Sequence, residues 1–239
     1  MGRFSVPLGR AFADFAEVGP GQRVLDVGSG PGALSVELAQ RVGADAVAAI
    51  DPSPPFVAAL ADRLPASDVR TGSAEQLPFA DDSFHTTLAQ LVVHFMSDPV
   101  VGLSEMARVT RPEGLVAACV WDHDGERSPL SLCWGALLEL EPGAVDESGL
   151  PGARRGHLEE LAIAAGLRDV VGSVLTVEVT FDDFEEWWEP YTFGIGPLGE
   201  HVAGLAEPQR AELRARCAEL MGPAPFTIRA HAWAVRGRP

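Results

Sequence analysis

Short apolar runs and longer amphipathic stretches take turns along the first half of the chain. Arg23 to Val27 is a short apolar run that carries one acid, Asp26, and predicts a buried strand. From Ala33 to Val42 the apolar residues Leu34, Leu38 and Val42 recur at helical spacing and share one face. Ala46 to Ile50 predicts a second buried strand, ending at Asp51. Ser53 is placed to cap the following helix, with Pro54 at its first position. Asp68 to Thr71 predicts a short third strand. Phe84 to Ala89 predicts a fourth, after the turn Ala80-Asp81-Asp82-Ser83. A helix over Asp98 to Val109, a turn at Pro112-Glu113-Gly114 and a fifth strand over Leu115 to Trp121 complete the series.

Strands that alternate with helices imply a parallel sheet with helices on both faces. The later half changes character. Arg154 to Ala165 predicts a helix ending at Gly166, Val170 to Val179 a long strand, and Pro225 to Val235 a last strand. Two stretches fall outside this scheme: one at about 122–153, containing Trp134, and one at about 181–222, rich in aromatic and helical signals. Inserted segments of this kind supply caps over sites, so one domain spanning 1–239 with two cap insertions is expected.

Composition narrows the function classes. The 239 residues are 46% hydrophobic, enough for a sizeable core, and carry a formal charge of -16. That charge repels phosphate backbones, and no basic patch offsets it, so nucleic acid is not an expected partner. Cys119, Cys133 and Cys217 lie far apart with no metal-ligand spacing, which predicts reduced thiols and no metal. No apolar run is long enough to span a membrane and no secretory signal is visible, so a cytoplasmic location is expected. The pattern carries no signal for oligomeric state.

The chemistry concentrates after the first strand, in Asp26-Val27-Gly28-Ser29-Gly30-Pro31-Gly32. Glycines there allow a tight turn and let a ligand approach the main chain, at the carboxyl edge where open α/β sheets bind ligands. Asp51, ending the second strand, is placed to accept hydrogen bonds from ribose hydroxyls. On these residues alone two readings stay open, because Gly28, Gly30 and Ala33 also fit the dinucleotide pattern of a nicotinamide-dependent oxidoreductase.

Val24-Leu25-Asp26-Val27-Gly28-Ser29-Gly30-Pro31-Gly32 resembles motif I of the class I S-adenosylmethionine-dependent methyltransferases. Ala48 to Ser53 resembles their second-strand motif. Gly72 to Phe79, with Asp82-Ser83-Phe84, resembles the adenine-side loop and the entry to the fourth strand, and Glu105 to Gly114 resembles the helix and turn before the fifth. The set is similar to the small-molecule branch that includes ubiquinone and menaquinone biosynthesis methyltransferases, and covers about Gly21 to Trp121. The resemblance implies a Rossmann-like, doubly wound, mostly parallel seven-stranded sheet with an antiparallel last strand and a small helical cap. It implies S-adenosylmethionine as cofactor. Asp26, Gly28, Ser29, Gly30 and Gly32 would surround the methionine moiety, with Gln90 facing the same end. Asp51 would hold the ribose, and Pro52, Ser73, Ala74 and Glu75 would line the adenine. Ser73 stands where the family often has Asp, which implies weaker cofactor binding through loss of a charged acceptor.

The implied reaction is transfer of a methyl group by direct displacement to O, N or C of a small-molecule acceptor. Alignment of the reacting atoms is the protein's main contribution. His94, after the fourth strand, is the first candidate for a general base and His123 the second. A helix-face packing role for His94 and a solvated loop for His123 are the competing readings. Trp121, Trp187, Trp188 and Tyr191 are candidates for the pocket of an apolar or aromatic acceptor, with one of the paired tryptophans lining it and the other packing. Asp182, Asp183, Glu185, Glu186 and Glu189 read as a solvated face. A non-catalytic protein that keeps the fold and binds the cofactor is the remaining alternative.

Overall fold

The computed structural model describes residues 2–239. A seven-stranded sheet in the order β3-β2-β1-β4-β5-β7-β6 forms its centre. The strands are β1 (Val24–Val27), β2 (Val47–Asp51), β3 (Asp68–Thr71), β4 (Phe84–Gln90), β5 (Thr110–Trp121), β6 (Arg168–Phe181) and β7 (Phe226–Arg238). β1 to β5 pair in parallel, and β7 runs antiparallel to both β5 and β6, as the resemblance implies. The strand order reverses between β1 and β4, the position where open α/β sheets leave a crevice at their carboxyl edge.

Alternation along each strand divides the core in two. Val24, Val47, Leu88, Ala117 and Cys119 face one side, together with Leu34 and Leu38 of α2 (Ala33–Val42). Leu25, Ala48, Ala89 and Ala118 face the other, together with Leu103 and Met106 of α4 (Pro99–Val109) and Leu158 of α6 (His157–Ala164). Successive Cβ atoms on a strand point to opposite faces, so a central strand buried on both sides reads as an unbroken apolar run. That is why β1 and β2 were legible from so few residues.

Several boundaries differ from the sequence expectation. Pro112-Glu113-Gly114 is not a turn that precedes the fifth strand. β5 already pairs at Thr110, opposite Phe84, and resumes at Leu115, opposite Thr86, so these three residues together with Arg111 form a bulge within it. α6 starts at His157 rather than Arg154, because Gly156 before it adopts φ 80. Ser53 occupies the N-cap of α3 (Pro54–Arg63) but its side chain makes no capping bond. The largest departure is α1 (Gly2–Phe15), which the sequence pattern did not announce. It buries Phe4, Leu8 and Phe12 against the sheet side that carries α2.

The two inserted stretches meet over the carboxyl edge. The first contains α5 (Ser131–Leu140), and the second α7 (Phe184–Trp188), α8 (Gly196–Gly204) and α9 (Glu207–Met221). Tyr191 Oη donates to the carbonyl of Pro129 at 3.3 Å, and Arg216 of α9 pairs with Glu139 of α5 at 2.6 Å. Among the described residues no helix is long and apolar enough to cross a membrane.

Candidate functional site

The loop after β1 is built from glycines in left-handed conformations: Gly28 at φ 70, Gly30 at φ 52 and Gly32 at φ 93. L side chains rarely adopt this region, so the path of the loop requires glycine. Two of the three are also closed by neighbours, since a Cβ on Gly28 would strike the side chain of Val92 and one on Gly32 that of Leu60. Gly30 differs: a Cβ there would meet nothing within 4 Å, so its main chain faces open space.

β2 holds this loop in place. The N–H groups of Gly28 and Ser29 donate to the carbonyl of Ile50 at 2.8 and 3.0 Å. Asp51 then grips it with its side chain, Oδ2 accepting from Gly30 N–H at 2.7 Å and Oδ1 from Ser53 N–H at 2.8 Å. The carbonyl of Asp51 accepts from Gly72 N–H at 3.1 Å, which draws the loop after β3 alongside. Exposed Pro52 and Ser73 and buried Ala74 therefore come together beside Asp51. The Glu75 carboxylate points to the start of α4, accepting from Ser97 N–H at 2.8 Å.

Asp26 is buried at the end of β1. Ser35 Oγ on the first turn of α2 donates to its Oδ2 at 2.5 Å. Burial pushes its pKa up to about 7, a rise that the Ser35 bond opposes and nearby Asp51 assists. No motif announces Ser35. Its signal was a polar residue beside Leu34 on the inward side of an amphipathic helix.

Beyond β4 and β5 lie the remaining candidates. Gln90 ends β4, and its Nε2 donates to the carbonyl of Ser5 in α1 at 3.0 Å, while its Oε1 is buried without a partner. His94 sits in a 3-10 turn, Val93–Phe95, only 5% exposed, with its ring 4.0 Å from that of Phe95. It is not on the face of an α-helix. Burial, with a smaller contribution from His123, lowers its pKa to about 3. His123 is 7% exposed, so the solvated-loop reading does not hold; burial lowers its pKa to about 4 against the pull of Asp146 and Asp122. The ring centroids of the two histidines are 6.3 Å apart. Buried Asp122 shapes this loop by accepting from Gly125 N–H at 2.9 Å and from Arg127 Nε at 2.7 Å.

The aromatic candidates are all buried. Trp121 packs edge-on against Phe4 of α1 at 6.3 Å, and Trp187 meets Tyr191 edge-on at 4.9 Å. Trp188 stacks with Phe184. Asp182, Asp183, Glu185 and Glu189 are exposed and Glu186 is half-buried, as expected of a solvated face.

One pattern links these residues. Among the described residues seven buried side-chain atoms lack hydrogen-bond partners; Ser29 Oγ, Gln90 Oε1, His94 Nδ1, Trp121 Nε1 and His123 Nε2 lie at or just past the ends of β1, β4 and β5, and the other two are Trp187 Nε1 in the cap and Trp233 Nε1 on β7. β1, β4 and β5 are neighbours in the sheet. Native proteins satisfy nearly all buried polar groups, so a concentration of unmet donors and acceptors at one edge makes that edge the candidate for a ligand. The acids Asp26 and Asp51, the open main chain at Gly30 and these unmet atoms suit a ligand with a cationic centre, hydroxyls and amine groups.

Comparison with known proteins points to the methyltransferases. Residues 25–118 match a methyltransferase domain family. An uncharacterized protein of Mycobacterium tuberculosis is 34% identical over 222 residues, covering 85% of this chain and 77% of the relative. A demethylmenaquinone methyltransferase of Mycobacterium sp. (strain KMS) is 39% identical over 127 residues, 52% of this chain and 53% of that enzyme. The crystal structure of the YcgJ protein of Bacillus subtilis superposes with a TM-score of 0.60 at 19% identity, covering 98% of this chain and 97% of that one.

Proposed function

The chain belongs to the class I S-adenosylmethionine-dependent methyltransferases, and from that premise we propose that it methylates a small-molecule acceptor enclosed between the sheet edge and the helical cap. The observation that carries this reading is the group of unpartnered buried polar atoms beyond β1, β4 and β5. When bound, S-adenosylmethionine supplies an electrophilic methyl group on a sulfonium whose departure needs no protonation.

The residues of the chain divide the work of holding it. Asp26, Gly28, Ser29, Gly30, Gly32 and Gln90 take the methionine end, with Ser29 Oγ and Gln90 Oε1 gaining the partners they lack. Asp51 takes the ribose. Each of its oxygens already accepts one backbone N–H and keeps a second lone pair, so it arrives rigidly oriented. Pro52, Ser73, Ala74 and Glu75 flank the adenine, and the tie from Glu75 to the start of α4 makes that residue a brace for the loop.

The acceptor lies against His94, Trp121 and Trp187, whose polar atoms are unmet, while Trp188 packs the cap. The wall is mainly aromatic, which favours an apolar or aromatic acceptor body. His94 is neutral at physiological pH because burial disfavours its charged form. It is therefore ready to accept a hydrogen bond from the acceptor, and takes a proton only where the acceptor must lose one. His123 stands behind it as the second candidate.

Calorimetry with S-adenosylhomocysteine and with NAD tests the cofactor reading directly. Binding of S-adenosylhomocysteine alone is expected; binding of NAD alone would sink it. His94→Ala should leave S-adenosylhomocysteine affinity intact and lower turnover of a true acceptor by about 100-fold if the imidazole serves as base. Unchanged turnover removes that role.

A further inference from the structure

A small cavity of about 40 Å³ lies under the cap, apart from the glycine loop. Its wall includes His123 and Glu126 from the loop after β5, Ser131 and Trp134 from α5, and Asp146 and Glu147 from the turn that follows. Three carboxylates thus share one small space. The arginine nearest in sequence, Arg127, is already paired with Asp122 at 2.6 Å. Glu147 is almost completely buried, and its Oε2 accepts from Trp134 Nε1 at 2.8 Å. Burial and the neighbouring Asp146 both raise its pKa, as expected of an acid lacking a positive partner. Asp146 Oδ1 is turned toward Ser148, accepting from its N–H at 3.0 Å.

A second and independent feature points to a ligand. His123 lines the same cavity, is more than nine-tenths buried, and its Nε2 has no hydrogen-bond partner. A neutral imidazole can present that nitrogen as an acceptor to a donor on a ligand. Three carboxylates exclude an anion. Among the described residues no group gathers acids and histidines closely enough for a metal ion. A protonated amine meets every condition: positive charge, three N–H donors, small size, and an affinity for the face of an indole such as Trp134.

We infer that this cavity holds a protonated amino group of the methyl acceptor, anchored by Glu147, Asp146 and His123 while another atom of the acceptor faces the cofactor. The inference rests on the methyl-transfer reading above. The geometry supports a handle rather than the reacting atom, because His94, which follows the β4 end, does not line this cavity and its ring lies 6.3 Å from that of His123.

The test follows the Trp134 indole N–H by NMR, assigned with Trp134→Phe, in the protein with and without S-adenosylhomocysteine. Benzylamine, benzyl alcohol and benzoate are the probes. Benzylamine should shift the signal saturably and bind at least about tenfold more tightly than benzyl alcohol, and benzoate should leave it unmoved. Glu147→Gln and Asp146→Asn should each weaken benzylamine about tenfold while S-adenosylhomocysteine binding by calorimetry stays unchanged. Asp62→Asn, which removes an exposed carboxylate from α3, should change neither and so controls for overall charge. Equal binding of benzyl alcohol, or indifference to both substitutions, overturns the proposal. Failure of S-adenosylhomocysteine to bind would count against the cofactor site instead, and the amine titration of the free protein would still report on the cavity.

Discussion

Asp26 and His94 show what a single residue can carry that its letter does not. Both positions were legible in the sequence, one from the motif and one from its place after a strand. Their ionisation was not, because it depends on burial by elements far away in the chain. For Asp26 the folded pKa of about 7 exceeds the ordinary 3.8, so the folded state binds the proton more tightly. Its contribution to stability is therefore complete below pH 3.8 and is lost as pH rises through about 7. His94 and His123 act in the opposite sense. Their folded values lie near 3 and 4, below the ordinary 6.5, so the unfolded chain takes up protons first and stability falls as pH drops below 6.5. Thermal melts from pH 5 to 8 should show Asp26→Asn more stable than wild type at pH 8 and the difference shrinking toward pH 5. Cofactor binding should follow the same group with the opposite preference. Affinity for S-adenosylmethionine should rise as Asp26 ionises near pH 7, and the rise should vanish in Asp26→Asn. By contrast, His94 should contribute no titration of activity between pH 6 and 8, since it is already neutral there.

At the scale of elements, the parallel half of the sheet was read almost residue for residue. β1, β2 and β4 are buried on both faces, and glycine or an acid marks the exit of β1 and β2. Two elements resisted for identifiable reasons. α1 holds Gly2, Pro7 and Gly9, which lower helix propensity, and its helical state is imposed by burial of Phe4, Leu8 and Phe12 in the core. The Pro112-Glu113-Gly114 segment has the composition of a turn, and only the pairing of Thr110 with Phe84 reveals a strand that bulges and continues. Phe12→Ala should cost about 3–5 kcal/mol in denaturant unfolding, a value typical of a fully buried aromatic and not of a frayed terminus. Loss below about 1 kcal/mol would mean that α1 contributes little to the fold. Within the glycine loop the positions are not equivalent. Gly28→Ala must displace Val92 and should destabilise the protein. Gly30→Ala has room for the methyl group and should act mainly on ligand binding, although its φ of 52 imposes some strain.

Across the whole molecule the charge is as telling as the fold. All 18 cationic residues are arginines, and 34 acids outnumber them. The field of such a surface draws cations inward and weakens with salt. Raising ionic strength from about 0.05 to 0.5 M should therefore weaken S-adenosylmethionine more than S-adenosylhomocysteine, which lacks the sulfonium charge. Equal salt dependence would show that the acids act on the rest of the ligand. The cap is the part of the molecule that the sequence left least legible. Its aromatic residues announced a packed cluster, but which stretch each one meets is set by tertiary contacts such as Tyr191 to Pro129. The pairing of Glu147 with Trp134 is equally invisible, since the two lie thirteen positions apart across the end of α5 and the irregular turn after it.

Helix α1 has its partners at both ends of the sequence. Gln90 of β4 holds Ser5, Phe4 touches Phe181 at the end of β6, and Arg236 of β7 donates to the carbonyl of Phe15 at 2.6 Å. Phe15 leaves the ribosome 221 residues ahead of Arg236. Throughout synthesis, then, the three aromatic and aliphatic side chains of this helix have no finished surface to rest on. The sheet face that α1 covers is therefore complete only after β7 has been made.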